Sequence, residues 1–147
     1  MRQGLPLVKV TDTHFLDSAV QQASLLVRAS GSAFYLCDPV CEQVELAATH
    51  ELQETPWSEG LVHRAAESRK AVISASHESP AVIAVPSIWR DTVRGVLVVA
   101  DSAPQRAFGE QDAALLQPLA ELTAAAMYQT ERLTRMTAQF EHCMSST

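Results

Sequence analysis

Five histidines, three cysteines and two tryptophans are the side chains of this 147-residue sequence with the most scope for binding or reaction. His50 and His63 fall in or beside a polar loop and His77 just before an apolar hairpin. No two histidines stand at H-x-x-x-H or H-E-x-x-H spacing, so no metal site is expected from spacing alone. His63 is the best candidate for a polar group in a pocket, because it shares a short helical stretch with Leu61 and Val62; the other reading is a solvated loop histidine. Cys37 and Cys41, in Cys-Asp-Pro-Val-Cys, flank a tight turn where two thiols could bridge. Such a cross-strand bond would be strained and easily reduced, as in a redox switch. The alternative takes Cys37 as a small core residue and Cys41 as a turn residue. Trp57 either stacks on a planar ligand or anchors its loop, and Trp89 either meets a partner or folds over its own hairpin. No Ser-His-Asp arrangement, phosphate loop or close carboxylate pair appears, so the chain reads as non-catalytic.

Composition narrows the setting. There are 17 acidic against 11 basic residues, a formal charge of −6, and no run of Lys or Arg able to neutralise phosphates, which disfavours nucleic acid. No stretch reaches the roughly 20 apolar residues of a membrane span, and the first residues lack the apolar core of a secretion signal. A cytoplasmic location and no membrane partner are expected. Three cysteines are too few and too uneven for a disulfide framework. The length suits one domain over 1–147, with a core at about 12–130 and an extended helix and tail over 129–147.

These residues must be held by elements that the apolar spacing reveals. Leu16, Val20, Ala23 and Val27 recur every three or four positions, predicting an amphipathic helix from Thr11 to about Arg28, ended by Gly31. Strands follow at 33–36 and 44–48, with Asp38-Pro39 as the turn. Residues 49–60, with Pro56 and Gly60, form a loop, and a short helix and a brief strand at 71–73 come next. Then comes VPSIWRDTVRGVLVVAD, residues 85–101, a hairpin whose second arm is apolar on both alternating sets: Val93, Leu97 and Val99 against Val96, Val98 and Ala100. A strand apolar on both sides needs cover on both faces.

The last helix is expected from about Gly109 to Cys143, with Asp112 able to reach back to the cap and Pro118 producing a bend or a lost hydrogen bond. One stripe, Leu116, Ala120, Thr123 and Met127, turns polar at Thr130 and Thr134 and should pack on the sheet. The other is Leu115, Leu119, Leu122, Ala126, Gln129, Leu133, Met136, Phe140 and Cys143, spaced alternately by four and three. That seam outruns the core. Its economical partner is the same seam of a second chain, a homodimer joined by a coiled coil; folding back on the first helix is the alternative.

The order of elements and the motifs resemble the GAF domain family. AFYLCDPVCEQVELAA (33–48) is similar to its opening hairpin, SEGLVHRAAESRKAVIS (58–74) to its G-x-G…V…G-K-P-V segment, and VIAVPSIWRDTVRGVLVVAD to its VPL…G-x-x-x-GVL hairpin. AFGEQDAALLQPLAELTAAAMY (107–128) resembles the start of its last helix. Pro86 resembles the residue that ends one central strand, and Gly95 the one that lets helix and sheet approach closely.

The resemblance implies an α/β (α+β) fold. A central antiparallel sheet of about five to six strands would lie between the N- and C-terminal helices on one face and a lid loop with a short helix on the other. It implies a sensory module of bacterial type that binds a small molecule between sheet and lid and signals through dimeric helices. The output would be a further domain or a kinase, cyclase or transcription-factor partner. Pocket candidates are Phe34, Tyr35, His50, Trp57, Leu61, His63, His77, Ile83 and Val85, with Leu16 and Val20 joining the seam in the dimer interface. The cofactor stays open. The family's cyclic-nucleotide signature, Asn and Lys ahead of Phe-x-x-x-Asp-Glu, is matched at Phe108 and Asp112, but Ala113 replaces the Glu and the chain has no Asn. No cysteine stands where a covalent tetrapyrrole would attach, or where related methionine sulfoxide reductases carry their thiolate. The alternatives are a ligand-free dimerisation scaffold, and a thiol redox sensor or reductase using Cys37 and Cys41.

Overall fold

The computed structural model describes residues 8–38, 43–52, 57–74, 80–103 and 106–145, with the side chains of 8–14, 134 and 140–145 left aside. In chain order the elements are α1 (Val8–Leu26), β1 (Gly31–Cys37), β2 (Val44–His50), α2 (Glu59–Ser68), β3 (Val72–Ile73), β4 (Ala81–Trp89), β5 (Thr92–Asp101) and α3 (Glu110–Ser145). The five strands form one antiparallel sheet in the order β2-β1-β5-β4-β3. Helices α1 and α3 cover one face and α2 the other. The expected α+β layering is therefore present, with five strands among the described residues.

Two apolar layers hold it together, because β4 and β5 are apolar on both sets of alternate residues. Towards the helix pair, Phe34, Ile83, Val85, Leu97 and Val99 pack with Leu16, Val20 and Ala23 of α1 and with Leu116, Ala120 and Met127 of α3. Towards α2, Ala33, Tyr35, Val82, Ala84, Val96, Val98 and Ala100 meet Val62, Ala65 and Ala66. Alanines on both sides of this second layer let α2 lie close to the sheet.

Several local expectations need correction. Helix α1 stops at Leu26, well before Gly31. Arg28 takes the left-handed conformation (φ 55°), and Ala29 N–H donates to the Ser24 carbonyl at 2.9 Å, a Schellman closure. Gly31 opens β1, where an added Cβ would strike Leu52 and crowd the His50 carbonyl. Pro86 does not end its strand: β4 runs on to Trp89. Because β3 pairs only with Ile83 and Ala84, β4 has a single neighbour at Pro86, where a missing donor costs no ladder bond. The register slips between Ser87 and Ile88, leaving Arg94 as an extra residue on β5. Beyond that bulge Val93 faces α2 with Val96 and Val98. It does not share a face with Leu97 and Val99, as unbroken alternation predicts.

Helix α3 runs unbroken through Pro118. Its first turn is capped as expected, Gly109 N–H donating to Asp112 Oδ2 at 2.9 Å. Arg106 clasps three elements just before it. Its guanidinium donates to the Val27 carbonyl at 2.7 Å, stands 3.6 Å from Asp101 and 3.8 Å from Asp112, and lies 4.7 Å above the Phe108 ring. Phe108 and Asp112, the two residues that match the nucleotide signature, thus serve to start the helix.

Candidate functional site

The sheet separates the nine pocket candidates. Tyr35, Trp57 and Leu61 come together on the α2 side. Tyr35 is buried in β1, and Trp57 Nε1–H donates to its hydroxyl at 3.0 Å, with the rings edge to face at 6.5 Å. His63, half-buried on α2, is next to the fully buried Val62. Phe34, Ile83 and Val85 occupy the opposite face, fully buried under α1 and α3, so they are core residues. His50 is also on that face. It pairs with Ser32, whose hydroxyl donates to the Val20 carbonyl of α1, and directly opposed residues share a face. His77 lies outside the described residues. The reason is parity: Phe34 and Tyr35 are consecutive in a strand and cannot both line one cavity.

The described part of the α2 side is filled by the protein's own side chains, since Tyr35, Val62, Ala65, Val96 and Val98 are all buried. A further opening is a recess of about 600 Å³ at the outer edge, lined by Arg64, Glu67, Ser68, Ala71, Val72 and Ile73. Among the described residues no cluster of three His, Cys, Asp or Glu side chains is arranged to hold a metal. Cys37 pairs across the hairpin with Val44 and packs with the α2 layer, and the turn closes by Asp38 N–H to the Gln43 carbonyl at 3.2 Å. Its proposed redox partner, Cys41, lies outside the described residues. No helix among the described residues is long and apolar enough to cross a membrane.

The seam candidates divide as well. Leu16 and Val20, 3% and 0% exposed, are core residues between α1 and the sheet and have no surface to offer a second chain. Leu115, Leu122, Leu133 and Met136 are exposed by 50%, 67%, 62% and 54%. Gln129 is exposed, Ala126 half-buried, and Leu119 leans half-buried on the core. The side chain of Phe140 falls outside the description. Leu25 and Leu26 are exposed at the end of α1; the helical period places Leu26 beside the apolar face and gives no sign that it reaches the surface.

Another cluster escaped the sequence entirely. At the β4–β5 tip, Trp89 lies against Tyr128 of α3 with ring centroids 6.0 Å apart, and the Arg90 guanidinium stands 5.3 Å from both rings. Arg94, the bulge residue, pairs with Glu131 of α3 and lies 5.8 Å over Tyr128. Trp89 therefore packs half-buried on α3 and does not fold back over its own hairpin.

An antiparallel sheet carrying a long terminal helix on one face and a short helix on the other is the architecture of a class of small sensory and regulatory domains. The sequence matches the GAF domain family over residues 13–129, and the chain belongs to that family. Solved structures agree on the fold. The GAF domain of an Acinetobacter phosphoenolpyruvate-protein phosphotransferase is 22% identical, with a TM-score of 0.65 over 82% of this chain and 84% of its own. The blue-light absorbing form of the PixJ GAF domain from Thermosynechococcus elongatus is 14% identical, with a TM-score of 0.70 over 95% and 98%. A type II free methionine-R-sulfoxide reductase from Thermoplasma acidophilum is 18% identical, with a TM-score of 0.67 over 84% and 97%. No curated protein sequence matches the chain significantly.

Proposed function

We propose that this chain is a non-catalytic regulatory GAF domain that pairs with a second copy along α3 and responds to a small molecule on the α2 side of its sheet. The observation that carries the reading is the exposed apolar stripe of α3. The helix has 36 residues, about 54 Å at 1.5 Å per residue. Among the described side chains its last buried residue is Met127, yet exposed Leu133 and Met136 continue the seam beyond the sheet. A stripe alternating by three and four is self-complementary, so a second α3 is its simplest cover. Small-molecule binding is supported by the layout of Tyr35, Trp57, Leu61 and His63, where a ligand entering beside α2 displaces Trp57 from the Tyr35 hydroxyl.

Sedimentation equilibrium tests the pairing: twice the chain mass at micromolar concentration is the expected result, and Leu122→Glu should return the single-chain mass with a still cooperative melting curve, lowered only by the lost association. A chain that stays single at high micromolar concentration ends this reading. Native mass spectrometry, with an absorption spectrum and a denatured control, tests the ligand, since extra mass lost on denaturation is what a bound molecule gives. The filled α2 side favours a second reading, a dimerisation scaffold whose own Tyr35 and Trp57 occupy the site, and a bare dimer mass would point to it.

A further inference from the structure

The β4–β5 turn touches both layers that flank the sheet. Five non-glycine residues among those described have positive φ, and three of them meet here: Arg69 (60°), Arg90 (52°) and Asp91 (65°). Arg90 and Asp91 form a two-residue turn between Trp89 and Thr92, a geometry that prefers Asn-Gly because both central residues are left-handed. Arg69 ends α2 in the same conformation, its N–H donating to the Ala65 carbonyl at 3.0 Å, where glycine is the usual choice. Left-handed backbone at bulky side chains persists only where surrounding contacts hold it. Here the side chains themselves make those contacts. The Arg69 guanidinium donates to the Asp91 carbonyl and stands 3.9 Å from its carboxylate. Arg90 reaches the other way, to Trp89 and to Tyr128 of α3.

We propose that the Arg90–Asp91 turn is a coupling element that ties the end of α2 to α3 at Tyr128 and Glu131, where α3 leaves the sheet. The chain of contacts is Arg69 to Asp91, Arg90 to Trp89 and Tyr128, and Arg94 to Glu131. Displacement of α2 by anything that enters beneath it pulls on Asp91 and shifts the cation stacked on Tyr128, one residue from Gln129 of the seam. The exposed ion pair contributes little, since Asp91 is in water. What carries the coupling is the hydrogen bond to its carbonyl and the rigid two-residue turn. The role given to this link rests on the regulatory reading above; the link itself does not require a dimer.

The test uses Arg69→Gly, Arg90→Gly and the double variant of the full chain, because glycine suits each left-handed position and removes only the reaching side chain. Hydrogen exchange followed by mass spectrometry reads the amides of residues 126–136. Arg69→Gly is expected to speed their exchange by about threefold or more, although both its contacts end on Asp91; Arg90→Gly does the same, and the double variant adds little to either. A change confined to α2 and the hairpin in Arg69→Gly overturns the proposal, as do two effects that simply add. A rise with Arg90→Gly alone makes the turn a local clamp on α3 and refutes the link to α2. Repeating the series in Leu122→Glu separates the two readings: a single-chain mass for the unmodified protein ends the seam, whereas the link stands or falls on the exchange of α3.

Discussion

Gly95 is the residue whose reason the structure revises most. Its resemblance to a family glycine implied close approach of helix and sheet, but an added Cβ would lie 2.4 Å from the Tyr35 carbonyl and 2.6 Å from the Phe34 ring. The crowding comes from the neighbouring strand and from the aromatic residue that fills the helix side. Backbone cannot yield as a flexible side chain does, so Gly95→Ala should cost about 1–3 kcal/mol in urea unfolding. Gly60→Ala is the control. It lies in the first turn of α2 with only Ser58 Oγ, 3.5 Å away, near an added Cβ, and it should gain about 0.5–1 kcal/mol. Arg106 matters for the opposite reason, because it joins the end of α1, the end of β5 and the start of α3. Arg106→Ala should lose about 1.5–3 kcal/mol, the range for hydrogen bonds to charged groups. Arg106→Lys should recover only part of this, since an ammonium cannot present two arms at once.

At the scale of elements, apolar spacing located the helices and strands among the described residues, and ends and facing were less legible. The residue sets of β5 were correctly read as needing two covers, yet nothing local says which set meets the long helices. Arg94, inserted by the bulge, then moves Val93 to the other face. For the same reason Phe34, Ile83 and Val85 were assigned to a pocket and are core. Tyr35 and Trp57 were assigned there too, and they meet, but through a hydrogen bond whose two ends are 22 residues apart in sequence. Either Tyr35→Phe or Trp57→Phe leaves one partner without its bond and should cost about 1–3 kcal/mol. The double variant should cost less than the sum, a coupling of about 1 kcal/mol measured by a double-mutant cycle in chemical denaturation. Full additivity would mean that the two rings are joined only by packing.

At the scale of the molecule, α3 presents two apolar faces, one buried and one exposed. Leu116, Ala120 and Met127 bind it to the sheet, and Leu115, Leu122, Leu133 and Met136 leave it an apolar surface. Buried and exposed leucines should respond oppositely. Leu116→Ala removes a fully buried side chain and should lower stability by about 2–5 kcal/mol. Leu133→Ala should change the unfolding of the single-chain form by no more than about 0.5 kcal/mol, while weakening association measured by sedimentation. Equal losses of stability at the two positions would show that the outer stripe is covered within its own chain.

The sequence by itself determined the order of elements, the two-sided sheet and the double stripe of α3, because each is a period in one dimension. It also carried the family resemblance, since Val85-Pro86, Gly95 and the run from Phe108 into the last helix are local motifs. Only the tertiary structure decided which alternate residues face which helices, that Leu16 and Val20 are core, and that Trp89, Arg90 and Arg94 rest on α3. Those outcomes depend on register, on the bulge at Arg94 and on left-handed turns at Arg69, Arg90 and Asp91. Such features are imposed by contacts between residues far apart in the chain, and no pattern of nearby residues encodes them.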